Sequence, residues 1–448
     1  MAQNIQTVND VATHPSALLQ TCNRPVIIQF EDASSAPVPS MVQIDLSVEK
    51  GGIWTQVGTT QVSSRDWDSS VTTPKFTFDI SSLLSAHIGS GFYESIFTID
   101  TDSPASMTNT SGNTGFNSII QYKLSARAWY VDSATSILTL NDTDAAVICP
   151  SSSTRYVANI AVRDSELTTT KYSNMNVDTA WNVDGAGAQV TTSMMLTNCP
   201  KSLRRKVELD MPLSVSVLGR GNSSSINLRQ QFTKDDGALL TGTLVVGVVA
   251  ASTTDIKTVN VTPNDTYLMS TWSGGSAAAC GKNFEMYLNS TSGDSSHKLK
   301  FELYNNSSTT NPNLSKLKPE ACAIYFVNDY NTLDYFLFDS FLDVTHNHET
   351  VGFKRGYKDY TSRASSKRGV ARGKTEEIYT CSTLVNRETS EWLSEIYRSR
   401  EVYLYDRVNK EFIPISVINE ATRPSYANRS EAQSFTLSFV KDSYVIKG

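Results

Sequence analysis

Apolar residues in this chain recur at every second position, and that period is what most limits how it can fold. Residues 42–49 read VQIDLSVE, and Phe76, Phe78 and Ile80 repeat the pattern. Tyr122, Leu124, Ala126 and Ala128 share one side of residues 119–131. Val207, Leu209, Met211, Leu213, Val215 and Val217 alternate in the same way, as do Phe435, Leu437 and Phe439 near the end. A period of two buries one face of a strand, whereas a helix needs spacings of three and four. Residues 25–30 also read as a strand, 322–327 and 335–341 as largely apolar strands, and 244–249 as a buried-strand run. The expected fold is mainly β. It has two or three β-sandwich domains, the N-terminal one immunoglobulin- or fibronectin-like.

Two short helical signals interrupt the strands. Residues 80–84 (ISSLL) read as a short helical turn or an edge element. Asn386 is placed to cap a helix over residues 387–398, with Trp392, Leu393, Ile396 and Tyr397 on one face as core anchors. The hairpin over 402–406 and 412–417 and a closing strand follow. Polar stretches at 149–154 and 305–313 divide the chain into three expected segments, 1–150, 151–318 and 319–448. Residues 101–117, rich in Ser, Thr and Asn, read as a loop, and residues 328–334 as a turn-rich linker. No period of 20 to 50 residues marks a solenoid or propeller.

Charge is the second constraint. The chain carries a formal net charge of -6, yet one stretch reverses it. Residues 354–374 hold Lys354, Arg355, Lys358, Arg363, Lys367, Arg368, Arg372 and Lys374 against one acid, Asp359. Spaced by Gly and Ser, they read as a flexible cationic assembly arm that orders against an acidic neighbouring surface. A solvated loop and a contact with DNA are the other readings of the arm. Its aromatics, Tyr357 and Tyr360, lie only near the start, whereas a single-strand binder interleaves them. The acidic balance argues against nucleic-acid binding by the surface as a whole. Residues 201–206 (KSLRRK) form a smaller basic patch, read as a turn or an edge guard.

Catalytic chemistry finds little in the sequence. No two of the six cysteines are close enough for a CxxC, so they read as buried free thiols. His346, His348 and Glu349 form the one histidine cluster, read as a polar strand end or loop; no metal and no cofactor is expected. No P-loop or GxSxG elbow is present. Asp334 with Asp339, and Glu376 with Glu377, read as solvated strand ends. The N-terminus has no basic, then apolar, signal pattern, and no run is long enough to span a bilayer, so a soluble chain made in the cytoplasm is expected, without membrane contact.

The order of elements in the last third carries a resemblance. An aromatic pair, YFVNDYNTLDYFLF, precedes the basic stretch; TSEWLSEIYRSREVYLY, FIPISV and SFTLSFV follow it. With NRPVIIQF, FTFDISSLL and YKLSARAWY near the start, this resembles β-rich tail proteins of tailed bacteriophages, especially those of Bacteroidetes-type hosts. Trp392, Leu393, Ser399, Val402, Tyr403, Pro414 and Ile415 fill the matching places, with Ile415 where Val is usual. The Asn-x-x-Gly-x-Asp turn of that family corresponds to residues 328–334, without its Gly. The resemblance implies a virion structural protein with no catalytic residues. It also implies a tail-tube-like C-terminal sandwich with one flanking helix. The expected role is a ring or adaptor in the tail, near the tip or baseplate, with copies of itself and other tail or neck proteins as partners. A neck or collar adaptor, a capsid decoration protein, and a host-receptor or glycan-binding protein are the alternatives.

Overall fold

The structure is a computed structural model. It describes residues 5–10, 19–21, 26–32, 40–50, 53–63, 75–88, 105–109, 119–132, 134–140, 147–149, 155–158, 182–183, 193–220, 226–233, 239–249, 254–261, 263, 283–290, 298–305, 314–354, 368–418 and 432–441. The chain is mainly β, in curled and largely antiparallel sheets.

Two sheets come from the N-terminal part. β1 (Ile5–Asp10), β3 (Ile27–Asp32) and β6 (Lys75–Asp79) form the first, in the order β1-β3-β6. The second runs β2 (Leu19–Thr21), β11 (Arg155–Ala158), β8 (Ile119–Val131), β4 (Met41–Lys50), β5 (Ile53–Ser63). β9 (Leu138–Leu140) and β10 (Val147–Cys149) also pair with β8. Alternation along β4 turns Val42, Ile44, Leu46 and Val48 inward, against Phe76, Phe78 and Tyr122. The expected helical turn is α1 (Ser81–Ser85), which buries Leu84.

Two more sheets follow. One runs β12 (Asn182–Val183), β13 (Ser193–Met195), β15 (Leu213–Arg220), β18 (Thr254–Val261), β7 (Ala105–Asn109). The other runs β14 (Arg204–Glu208), β20 (Leu299–Tyr304), β19 (Asn283–Ser290), β16 (Ile226–Thr233), β17 (Leu239–Val249). β7 lies inside residues 101–117, which the sequence presents as a loop; backbone pairing with β18 makes it a strand whatever its polar composition. The alternation from Val207 to Val217 is likewise not one strand. Asp210 takes φ 66° and Pro212 has no N–H to give a ladder, so the run splits into β14 and β15, which enter different sheets.

The last sheet has seven strands, in the order β22 (Leu333–Phe338), β21 (Cys322–Val327), β25 (Val402–Asp406), β26 (Glu411–Ile418), β27 (Gln433–Lys441), β24 (Arg368–Val385), β23 (Ser340–Lys354). β26 turns its corner. Its residues up to Pro414 pair with β25, and from Ile415 onward they pair with β27. The two layers meet through Phe338 and Phe435, whose ring centres are 6.2 Å apart. All six residues of β21 and of β22 are buried, as their largely apolar sequences require.

One helical segment closes an end of this sandwich. α2 (Arg387–Leu393) tightens into a 3-10 turn over Ser394–Arg398, where the sequence implies a single helix. Asn386 caps it as expected, its Oδ1 accepting from Thr389 N at 2.8 Å. Trp392, Leu393 and Ile396 are buried, with Trp392 5.7 Å from Phe326 and 6.1 Å from Phe336. Tyr397 is half-buried and donates to Thr436 O at 2.7 Å. Asn386→Ala leaves an N-terminal N–H unsatisfied and should cost about 1 kcal/mol, read as a lower urea midpoint with unchanged slope.

Strand pairing and packing cross the divisions that the sequence suggests. β7 joins a sheet of the middle segment, and β11 joins the N-terminal one. One continuous core runs from Met195 to Phe439, and a second from Val26 to Val157. The join between the middle and last segments is also polar. Arg407 forks onto Glu208 through Nε at 2.6 Å and Nη2 at 2.5 Å, and Tyr325 donates to Pro212 O at 2.6 Å.

Candidate functional site

The basic stretch turns out to be the outer part of a long hairpin. β23 and β24 pair from Ser340 with Ser382 out to Lys354 with Arg368. β27, the third strand, pairs with β24 only over residues 379–385. Beyond that point the two strands have only each other among the described residues. Asp343, Val344, Thr345 and His346 are all exposed. Successive strand residues point to opposite sides, so the ribbon is exposed on both faces where it leaves the sandwich. From Thr345 opposite Ile378 to Lys354 opposite Arg368 it extends about 30 Å.

Its base is firmly held. Cys381 is fully buried, and Tyr379 stacks on Phe439 with ring centres 5.7 Å apart. Lys441 Nζ sits 4.2 Å from the Tyr379 ring, and Tyr379 donates its hydroxyl hydrogen to Glu377 at 2.7 Å. Near the outer end a bulge at Ala371 separates the pair Val351 with Arg372 from Gly352 with Val370.

This corrects the arm in part. Lys354, Arg368, Arg372 and Lys374 stand on paired strands, so their backbone is not that of a loose loop. Arg355, Lys358, Arg363 and Lys367 lie outside the described residues, as do Asp359, Tyr357 and Tyr360. His346, His348 and Glu349 lie within β23, neither at a strand end nor in a loop. His346 Nδ1 is 3.9 Å from Glu377 Oε1, and among the described residues no group of three or more His, Cys, Asp or Glu could hold a metal. Glu377 is exposed; Glu376 is in register with Asn347.

Asp334 is the clearest departure from the sequence reading. It is not a solvated strand end but 4 % exposed, beneath the turn joining β21 to β22. It accepts from Thr197 Oγ1 at 2.8 Å, Asn328 Nδ2 at 2.9 Å and Arg205 Nη1 at 3.2 Å. Arg205, expected on a turn or edge guard, is 2 % exposed in β14. Its guanidinium lies 4.8 Å from the Phe301 ring and 5.1 Å from that of Tyr335. Neighbouring Lys206 pairs with Asp339, which also accepts from Thr383 Oγ1 at 3.3 Å. These residues line an open groove of about 420 Å³ between β14, β22, β24 and α2, and its charged pair is already satisfied.

The turn above Asp334 is built by Asn328. Its Oδ1 accepts from Tyr330 N and Thr332 N at 3.0–3.1 Å. Asn331 takes φ 59°, the left-handed conformation that Asn adopts more readily than most residues. Asn328 Nδ2 and Thr332 Oγ1 both donate to Leu196 O at 3.0 Å, so the turn also grips the middle segment. Nearby Cys199 is a buried free thiol, pushed up to about 12 by burial, and is not poised as a nucleophile. Cys322 and Cys381 are also buried and free.

The arrangement joins two kinds of surface. A buried, hydrogen-bonded junction fixes the sandwich, and a two-stranded ribbon carries dense positive charge away from it. Among the described residues no helix is long and apolar enough to cross a membrane. No family model and no curated protein matches this chain. Among solved structures, the Salmonella enterica SafA pilin in complex with the SafB chaperone matches at 9% identity, covering 68% of this chain and 98% of that one. Its TM-score of 0.16 carries no argument about fold or function.

Proposed function

We propose that this chain is a structural virion protein of a tailed bacteriophage, assembling with copies of itself as a ring or adaptor in the tail, near the tip or baseplate. The observation that supports assembly is the ribbon. An isolated two-stranded hairpin is marginal in water and gains stability by docking. The arm carries eight cations and one acid, so the rest of a chain of net charge -6 carries -13. A basic ribbon and an acidic body are different patches on one chain, as a head-to-tail ring contact requires. The order of elements around the ribbon, from the aromatic strand pair to the Trp392 helix, supports the phage-tail assignment by resemblance. The ribbon reaches a neighbouring copy in this reading, with DNA as the competing partner.

Purified full chain should form one closed oligomer in mass photometry. That oligomer should weaken as salt rises from 50 to 500 mM, because charged contacts between exposed surfaces are screened. Immunogold labelling of particles should place the chain at the distal tail. Labelling at the neck or over the capsid would move it to an adaptor or decoration role. A monomer that binds glycans on an array would replace the reading with host recognition. Steeply salt-dependent binding to duplex DNA without self-association would assign the ribbon to nucleic acid.

A further inference from the structure

The 3-10 turn after α2 holds a buried acid that the assembly reading does not use. Glu395 is 1 % exposed. Its Oε1 accepts from Asn198 Nδ2 at 2.7 Å and its Oε2 from Asp329 N at 3.1 Å. Asn198 Oδ1 in turn accepts from Tyr330 Oη at 2.9 Å. Glu395 therefore stands between segment 196–203, which comes from the middle of the chain, and the β21–β22 turn.

Charge at this junction does not balance if every acid is ionised. Asp334 is matched by Arg205 from β14, and Asp329 by Arg398 at 2.8 Å from the same 3-10 turn. That leaves Glu395 as the third carboxyl beside two guanidinium groups. Cys199 from the middle segment also lies near it, and burial keeps that thiol protonated at pH 7, so it adds no cation; Tyr330 reaches Glu395 only through Asn198. A buried carboxylate without a cation is costly, and the group takes up a proton instead.

We propose that Glu395 is a proton-controlled latch, closed when its carboxyl is protonated and holding segment 196–203 against the C-terminal sandwich, and loosened when it ionises. In the closed state the Glu395 O–H donates to Asn198. The Asn198 amide is then reversed, with Oδ1 accepting and Nδ2 directed at the Tyr330 hydroxyl. The heavy-atom positions are the same, since amide oxygen and nitrogen exchange places. Ionisation puts a third negative charge beside Asp329 and Asp334 and favours opening to water.

The direction of the pH effect follows. Burial first, and the Asp329 charge second, push the Glu395 carboxyl up to about 8 from an ordinary 4.5. Between those values the closed form keeps a proton that the opened form releases. Latch stability is therefore fully present below about 4.5, falls through the neutral range and levels off above about 8.

The test compares wild type with Glu395→Gln, which mimics the protonated acid, by hydrogen exchange of residues 196–203. In wild type the opening equilibrium should rise about 10-fold per pH unit between pH 6 and 8, beyond the intrinsic rise in exchange chemistry. In Glu395→Gln that extra rise should vanish. Equal pH slopes in both proteins would overturn the latch. A second measurement needs no variant: infrared difference spectra of wild type should show a protonated-carboxyl C=O band lost near pH 8. A band lost below pH 6, or none, would overturn it too.

Discussion

Asp334→Ala lowers the stability of the unit built on the larger core by about 3–5 kcal/mol, read as a fall in urea midpoint with unchanged slope. The cost comes from what the substitution leaves behind. Arg205, 2 % exposed, keeps its charge in the core with no carboxylate beside it. Thr197 and Asn328 lose an acceptor in the same step. Each buried donor left unmade adds about 1–3 kcal/mol, so the total sits at the upper end of single-site effects. The double variant Arg205→Met with Asp334→Leu should recover much of the loss, because a buried ion pair often has little net worth against apolar packing. A single-variant cost under about 1 kcal/mol would mean that water reaches Arg205.

Shortening the ribbon should abolish self-assembly and leave the fold intact. Glu349 is in register with Lys374, so replacing residues 350–373 by Asn-Gly joins two facing positions with a tight hairpin turn. The cut removes seven of the eight arm cations. A cut of residues 357–373 alone would take six residues from one strand of the ribbon and leave their partners unpaired. The symmetric cut avoids that fault, and it lies well outside the residues that β24 shares with β27. Subunit affinity should fall by at least about 100-fold, which is about 2.7 kcal/mol. The urea midpoint of the subunit should move by less than about 0.5 kcal/mol in equivalent stability.

How much of this was legible in the sequence depends on which residues carry a buried face. β21 and β8 could be read to the residue, because burial imposes a pattern on each, continuous in one and alternating in the other. Asn386 was legible because capping chemistry is local. The ribbon was not. Exposed on both faces at residues 343–346, it has no apolar side to set a period, so Gly, Ser and Lys read as loop.

Asp334 and Arg205 were missed for another reason. Charge on a strand reads as exposure, and the partners are 129 residues apart. The available signal was that Asp334 interrupts a run, LDYFLF, with no polar alternate. Glu395 had a signal as well. It lies three residues after Trp392, on the helix side that also buries Ile396, where a carboxyl needs a special reason. The break at Asp210 and Pro212 was hidden because alternation continues across it while the backbone turns.

Sedimentation velocity on wild type and the ribbon-shortened chain, at equal concentration and low salt, shows whether the ribbon makes the assembly contact. Wild type should sediment as one closed oligomer and the variant as a folded monomer, with matching near-ultraviolet circular dichroism. Equal oligomers from both chains would contradict that role of the ribbon and move the assembly contact elsewhere on the molecule.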